Sequence, residues 1–134
     1  MTASVFSSLK VIDCASWIAG PAAATIMSDF GADVIKLEPP GLGDPWRGRG
    51  PLPGRTVDLK HKDGIAVLHR LVATADVFVT NFPLPVRDRL KLSPAHLMPL
   101  NPRLIYASFT AYGEAGEEAE KTGFDSTAYW ARTG

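Results

Sequence analysis

Between Arg47 and Lys91 the chain carries nine basic side chains (Arg47, Arg49, Arg55, Lys60, Lys62, Arg70, Arg87, Arg89 and Lys91) against four acids (Asp58, Asp63, Asp76 and Asp88), an excess of five positive charges. Arginine can grip a phosphate or pyrophosphate through two parallel N–H bonds, and lysine through a mobile point charge. Arg89 and Lys91 stand out because they follow Asn81-Phe82 closely; taken one at a time, each of the nine reads first as a solvated helix or loop charge. Trp17 and Trp46 can stack on a ligand ring, with ordinary packing as the simpler role. His61, His69 and His96 show no metal-ligand spacing with one another or with a cysteine or acid. Cys14 lies in an apolar run and reads as an inert core thiol. Asp125, after a glycine-rich stretch, reads as a helix N-cap rather than an active-site acid, because no partner is near it in sequence.

These residues hang on an alternation of strands and helices. Leu9 to Ala15 is a short run rich in β-branched residues and reads as a buried strand. Gly20-Pro21, followed by Ala22, Ala23, Ala24, Ile26, Met27 and Phe30 and then Gly31, marks a short helix. Ala32 to Leu37 is a second strand, so strand, helix and strand fit within about 30 residues, the length of a βαβ unit. Glu38 to Gly54 is too rich in Pro and Gly to hold either period and reads as a long loop. Thr56 to Leu59 is a possible short strand. A helix opens at Asp63-Gly64, a strand spans Asp76 to Thr80, Ser93-Pro94 caps a helix running to Leu100, and Leu104 to Phe109 is a further strand. Gly113 to Gly123, with four glutamates, reads as a wet loop, and Asp125 to Arg132 as a helix that ends the chain without an apolar partner.

The fold expected is therefore α/β, a Rossmann-like parallel sheet with helices on both faces. In such sheets ligands sit beyond the carboxyl ends of the strands, at Ser16 to Gly20, Glu38 to Pro40, Asn81 to Pro83 and Thr110 to Gly113. The first of these turns has neither G-x-G-x-x-G nor a Walker lysine, which argues against a dinucleotide or nucleoside triphosphate. Gly20 within it either admits a ligand to the backbone or makes a tight turn.

Composition narrows the classes further. In 134 residues, 46% hydrophobic, fourteen Lys and Arg balance fourteen Asp and Glu, which argues against a nucleic-acid binder. One cysteine favours a reducing, cytoplasmic setting. No apolar stretch reaches bilayer length, and Met1 to Ser8 has no export-signal pattern, so no membrane contact is expected.

Taken together, the stretches Leu9-Lys10-Val11-Ile12-Asp13, Ala19-Gly20-Pro21, Gly31 to Glu38, Gly43-Asp44, Val57-Asp58-Leu59-Lys60, Asp63-Gly64, Ala75-Asp76-Val77, Asn81-Phe82, Asn101 to Ile105, Ser108-Phe109, Tyr112-Gly113 and Gly123-Phe124-Asp125 resemble the class III CoA-transferases. That family includes formyl-CoA transferase, carnitine CoA-transferase and α-methylacyl-CoA racemase. The resemblance implies that residues 1–134 form an incomplete large domain. It also implies an interlocked homodimer, acyl-CoA and carboxylic-acid substrates, coenzyme A as a substrate rather than a resident cofactor, and no metal. The coenzyme contacts it implies fall on Ile18, Ala19, Pro39, Val57, Asp58, Leu59, Lys60, Asn81, Phe82, Pro83, Arg89, Lys121, Gly123, Phe124 and Asp125. Transferases of the family form a mixed anhydride and then a CoA thioester on an aspartate in a Gly-Asp segment well downstream of the Gly-Phe-Asp motif. That aspartate is expected beyond Gly134, and the 134 residues alone are expected to be inactive.

Several positions depart from the family pattern. Pro39 stands where several relatives have Arg, and Ile18 where the formyl enzyme has a polar residue. Only Gly54-Arg55-Thr56 remains of an Asn-x-x-Lys-Arg-Ser type stretch before Val57. Racemases place a His directly before the aspartate matching Asp125, and here that residue is Phe124. Transferase therefore ranks above racemase or isomerase. A small flavodoxin-like binding module is the alternative from another class, resting on the βα alternation alone.

Overall fold

The computed structural model describes residues 4–48 and 56–133. Four short strands, β1 (Lys10–Asp13), β2 (Asp33–Lys36), β3 (Val77–Thr80) and β4 (Ile105–Ser108), pair in parallel in the order β2-β1-β3-β4. Helix α1 (Ala19–Asp29) joins β1 to β2. Helix α2 (Lys62–Val72) leads into β3, α3 (Leu84–Arg89) and α4 (Pro94–Leu97) lie between β3 and β4, and α5 (Asp125–Thr133) follows β4.

Side-chain alternation along the strands sorts the apolar residues into two cores. Val11, Val77 and Val79 gather on one face, where Met27 of α1 packs against them. Ile12 and Phe78 point to the other, against Leu68 and Val72 of α2 and Leu97 of α4, with Tyr106 alongside. All four residues of β3 are buried, as expected of a central parallel strand covered on both sides. Val77, Phe78 and Val79 each contribute on the order of 1.5–3 kcal/mol by leaving water. The two cores put helices on both faces of the sheet, in agreement with the sequence reading.

Helix ends follow local chemistry. At the end of α1, Gly31 adopts φ +97° and donates to the Ser28 carbonyl, while Ala32 N–H reaches the Met27 carbonyl. This is a Schellman closure with glycine at its left-handed position. The same pair of bonds closes α3, from Lys91 to Asp88 and from Leu92 to Arg87, with Lys91 at φ +57° in the glycine's place.

The structure departs from the sequence reading in several places. Thr56 to Leu59 is not a strand: Val57 N–H makes one bond to the Glu38 carbonyl, and Leu59 already belongs to the turn that enters α2. Residues 84–89, for which the sequence pattern offers no element, form α3, because Pro85 suits the first helical turn where no N–H is required. Ser93 occupies the N-cap position of α4 with Pro94 in the first turn, as expected, but its side chain caps no backbone N–H, its Oγ lying 2.7 Å from His96 Nδ1 instead. Asp125 is the first residue inside α5 rather than its cap; the preceding Phe124 donates its N–H to Thr127 Oγ1. Part of the expected long loop, residues 49–55, lies outside the described residues; within the rest, Pro45–Arg47 make one 3₁₀ turn.

Candidate functional site

A 2-1-3-4 parallel order reverses direction between β1 and β3, and the chains leaving those two strands must separate there to cover opposite faces. Across that gap Asn81 links them. Its Oδ1 accepts from Ser16 N–H at 2.9 Å and its Nδ2 donates to the Ser16 carbonyl at 2.6 Å. Above this pair opens a cleft of about 570 Å³, walled by Trp17, Ile18 and Ala19, by Asn81, Phe82 and Pro83, by Phe109 to Ala111, and by Gly123, Phe124 and Thr127. No charged side chain lines it among the described residues. Its polar groups are backbone amides, hydroxyls and Asn81. The N-terminal end of α1 points into it without a side-chain cap, so the helix's positive end is available there.

Trp17 stands in the left-handed region at φ +65°, an uncommon conformation for a bulky residue. Its N–H donates to Asp44 Oδ1 at 3.0 Å, and its ring meets Phe124 edge to face at 5.2 Å between centroids. Asp44 is buried and also accepts from Trp46 N–H, while its Oδ2 pairs with Lys36 Nζ at 3.0 Å. Lys36 in turn reaches Asp13 Oδ2 at 3.1 Å and the Ala15 carbonyl. Burial pushes Asp13 up, with Lys36 opposing. Burial pushes Asp44 up too, yet the N–H groups of Trp46 and Trp17 and the Lys36 ammonium together hold it below its ordinary 3.8. Burial also raises the Cys14 thiol to about 12, which keeps it protonated and inert.

A second, larger cleft of about 880 Å³ opens between the start of α2 and the end of α3. Lys60, His61, Lys62, Arg89 and Lys91 surround it, so its rim is basic, while Ile65 and Leu90 give it apolar walls. His69 also lines it, with Nε2 buried and unpartnered among the described residues. The loop entering α2 is held down by Gly64, at which a Cβ would lie 1.9 Å from the Asp58 carbonyl oxygen. The β3–α3 segment serves both clefts, residues 81–83 in the first and 89–91 in the second. At 1.5 Å per residue, the six-residue α3 sets them about 9 Å apart.

A neutral, amide-lined slot beside a basic one suits a ligand with an anionic end and an uncharged arm. The sequence matches the model of CoA-transferase family III over residues 6–134. The chain belongs to this family. Among curated relatives, the cinnamoyl-CoA:phenyllactate CoA-transferase of Clostridium sporogenes is 36% identical over 98% of this chain and 36% of its own length. The α-methylacyl-CoA racemase of Mus musculus is 34% identical over 90% of this chain and 32% of its own. The crystal structure of a CaiB/BaiF family protein from Brucella suis superposes with a TM-score of 0.83 at 35% identity, covering 92% of this chain and 38% of that one. The chain thus spans about a third of the length of the curated relatives it matches.

In this CoA-transferase family III chain the residues singled out from sequence divide between the two clefts. Ile18, Ala19, Asn81, Phe82, Pro83, Gly123 and Phe124 line the neutral one. Leu59, Lys60 and Arg89 line the basic one. Pro39 is exposed and lines neither. Val57 packs against the α2-side core, and Asp58 turns back to accept the N–H of Lys60 at 2.9 Å. Lys121 is exposed and paired with Glu118 at 3.0 Å, at the edge of a smaller recess beside the neutral cleft. Asp125 opens α5. Trp46 is exposed and lines neither cleft. Gly20 has neither role considered for it: it lies in the first turn of α1, where a Cβ would meet Ala15 Cβ at 2.4 Å.

Two further residues shape the site. Arg87 is not a solvated helix charge but is only 1% exposed. Glu114, in the expected wet loop, is half-exposed and pairs with it at 3.0 Å. The Ser108 hydroxyl and the Arg87 guanidinium hold Glu114 below its ordinary 4.5 against a smaller opposing effect of burial. No pattern in the sequence separates Arg87 from its solvated neighbours. No three His, Cys, Asp or Glu gather as metal ligands among the described residues.

Proposed function

We propose that this chain is the coenzyme-holding part of an enzyme that moves CoA from an acyl-CoA to a carboxylic acid. The observation that carries the reading is the pair of clefts joined by the β3–α3 segment, one basic and one neutral. Coenzyme A has a phosphorylated nucleotide at one end and an uncharged pantetheine arm ending in a thiol at the other. Lys60, Arg89 and Lys91 supply cations for the phosphates, with Arg89 able to offer two parallel N–H bonds. Backbone groups at Ile18, Ala19 and residues 81–83, with the Trp17 and Phe124 rings, suit the neutral arm and bring the thioester toward the positive end of α1.

The transfer divides one acyl exchange into covalent steps. An aspartate carboxylate attacks the thioester carbonyl, giving a mixed anhydride and releasing the CoA thiolate. The thiolate then attacks the aspartyl carbonyl, freeing the donor acid and leaving an aspartyl-CoA thioester. The acceptor carboxylate reverses these steps, and no electrons are exchanged with a cofactor. Backbone N–H groups aimed at the developing oxyanion stabilise each tetrahedral stage. The aspartate is not assigned to any of the 134 residues, so in this reading they do not transfer CoA alone. The active form is an interlocked homodimer in the cytoplasm. Proton abstraction next to the thioester lacks its expected histidine at Phe124, which meets Trp17 edge to face; this favours transfer over racemisation.

Calorimetry on the polypeptide as its gene encodes it is the test. Heat of binding with CoA or its esters, and CoA transfer without exchange of the α-proton in deuterated water, are expected. No binding sinks the reading, and α-proton exchange without transfer replaces it with racemisation. CoA transfer by the isolated 134 residues contradicts the absence of a nucleophile among them.

A further inference from the structure

We infer that Arg87 is a positioning residue, a buried clasp that fixes the walls of the neutral cleft at residues 82 and 109 relative to each other. This rests on the reading of that cleft as the seat of the pantetheine arm.

Arg87 belongs to α3, yet its side chain bonds to none of that helix's groups and instead ties three separate segments. Its Nε donates to the Phe82 carbonyl at 2.6 Å, in the connection leaving β3. One terminal nitrogen donates to Ser108 Oγ at 2.5 Å and to Glu114 Oε1 at 3.0 Å, and the other to the Phe109 carbonyl at 2.9 Å. Ser108 closes the set by donating its hydroxyl to the same Glu114 oxygen. Phe82 and Phe109 both line the neutral cleft, each just beyond the end of one of the paired strands β3 and β4. Glu114 opens the loop whose far end, Gly123 and Phe124, supplies another wall.

Burying a guanidinium is costly unless its donors are matched, and its one carboxylate partner here is half-exposed. An apolar residue would fill the same volume without that cost. What the guanidinium adds is a rigid planar fork with donors in three directions, which neither an apolar side chain nor a lysine can reproduce. Carbonyls 82 and 109 are thereby held at one fixed separation, and binding then requires less ordering of the walls.

The test is calorimetry on the gene-encoded polypeptide with two probes, CoA and its adenosine bisphosphate half lacking the pantetheine arm. Arg87→Met is expected to weaken CoA binding about tenfold while leaving the bisphosphate within about twofold. Arg89→Met, on the basic rim, weakens both. Glu114→Gln, which removes the charge from the exposed side, weakens CoA about threefold and spares the bisphosphate. Should Arg87→Met fail to fold by circular dichroism, Arg87→Lys and Glu114→Gln carry the test, with the same selective loss expected. Unchanged CoA affinity in folded variants, or equal loss of both probes, overturns the clasp while leaving the CoA reading intact. Binding of neither probe by the unaltered chain removes the CoA reading and the clasp's ligand role with it.

Discussion

Asp44 reaches back to hold the backbone of Trp17: its Oδ1 accepts the Trp17 N–H at 3.0 Å, while its Oδ2 pairs with Lys36. A residue far along the chain thus keeps a bulky side chain in the left-handed region, at the lip of the neutral cleft. Strain of this kind costs on the order of 1–3 kcal/mol and persists only where surrounding contacts over-determine it.

Trp17→Gly and Trp17→Ala separate that strain from the ring's packing. Both remove the indole, which is 41% exposed and contributes only part of its burial energy. Glycine adopts φ +65° without the Cβ penalty that alanine carries there, so Trp17→Gly should be the more stable of the two by about 1 kcal/mol in urea unfolding. In a regular helix or strand the order would be reversed. Both should bind CoA more weakly than the parent. An alanine variant as stable as the glycine variant would mean that the backbone relaxes once the ring is gone.

Lys91 presents the same trade in another form. It occupies the left-handed position of the Schellman closure of α3 and lines the basic cleft. Lys91→Gly should raise unfolding free energy by about 1 kcal/mol, because glycine adopts that conformation without a Cβ penalty. The same change removes a cation from the rim and should weaken binding of the bisphosphate several-fold, more so at low salt. Stability rising while affinity falls is the expected signature, read by urea titration and calorimetry side by side. A stabilised variant with unaltered affinity would take Lys91 out of the site.

How much of this was legible beforehand follows from what each feature depends on. The strands at Val11-Ile12 and Val77-Phe78-Val79 announce themselves because a parallel sheet covered on both faces needs unbroken apolar runs. The closure at Gly31 is visible because glycine marks left-handed backbone. The equivalent closure of α3 is hidden because lysine occupies it, and the helix itself is masked by Pro83 and Pro85. In sequence Arg87 is indistinguishable from its neighbours Arg89 and Lys91, since residue type says nothing of burial when the partners are carbonyls 82 and 109 and a glutamate 27 residues away. The neutral cleft is legible as strand ends, whereas the basic one, between the start of α2 and the end of α3, depends on the direction of α3.

Gly64 lies in the first turn of α2, where helix propensity alone would favour alanine by about 1 kcal/mol. The opposite result is expected. A Cβ there would lie 1.9 Å from the Asp58 carbonyl oxygen, a backbone atom that cannot rotate away. Gly64→Ala should destabilise the fold by about 1–3 kcal/mol and push the 57–60 turn outward, weakening the basic rim at Lys60. A stabilised Gly64→Ala variant in urea unfolding would show that this turn is loosely held.

The pair of carboxylates sharing Lys36 should give opposite signatures on acidification. Asp44 has a folded pKa below its ordinary 3.8, so its stabilising contribution is complete above that value and is lost as pH falls through it. Asp13 is raised above 3.8 by burial, against the pull of Lys36. The folded state therefore takes up that proton first, and Asp13 adds stability as pH falls from its raised value toward 3.8. Removing each group exposes the other. Between about pH 5 and pH 3, Asp44→Asn should lose less stability than the parent, and Asp13→Asn should lose more. Urea midpoints measured across that range decide it. A steeper acid loss in Asp44→Asn than in Asp13→Asn would mean that Lys36 stabilises Asp13 more strongly than burial opposes it.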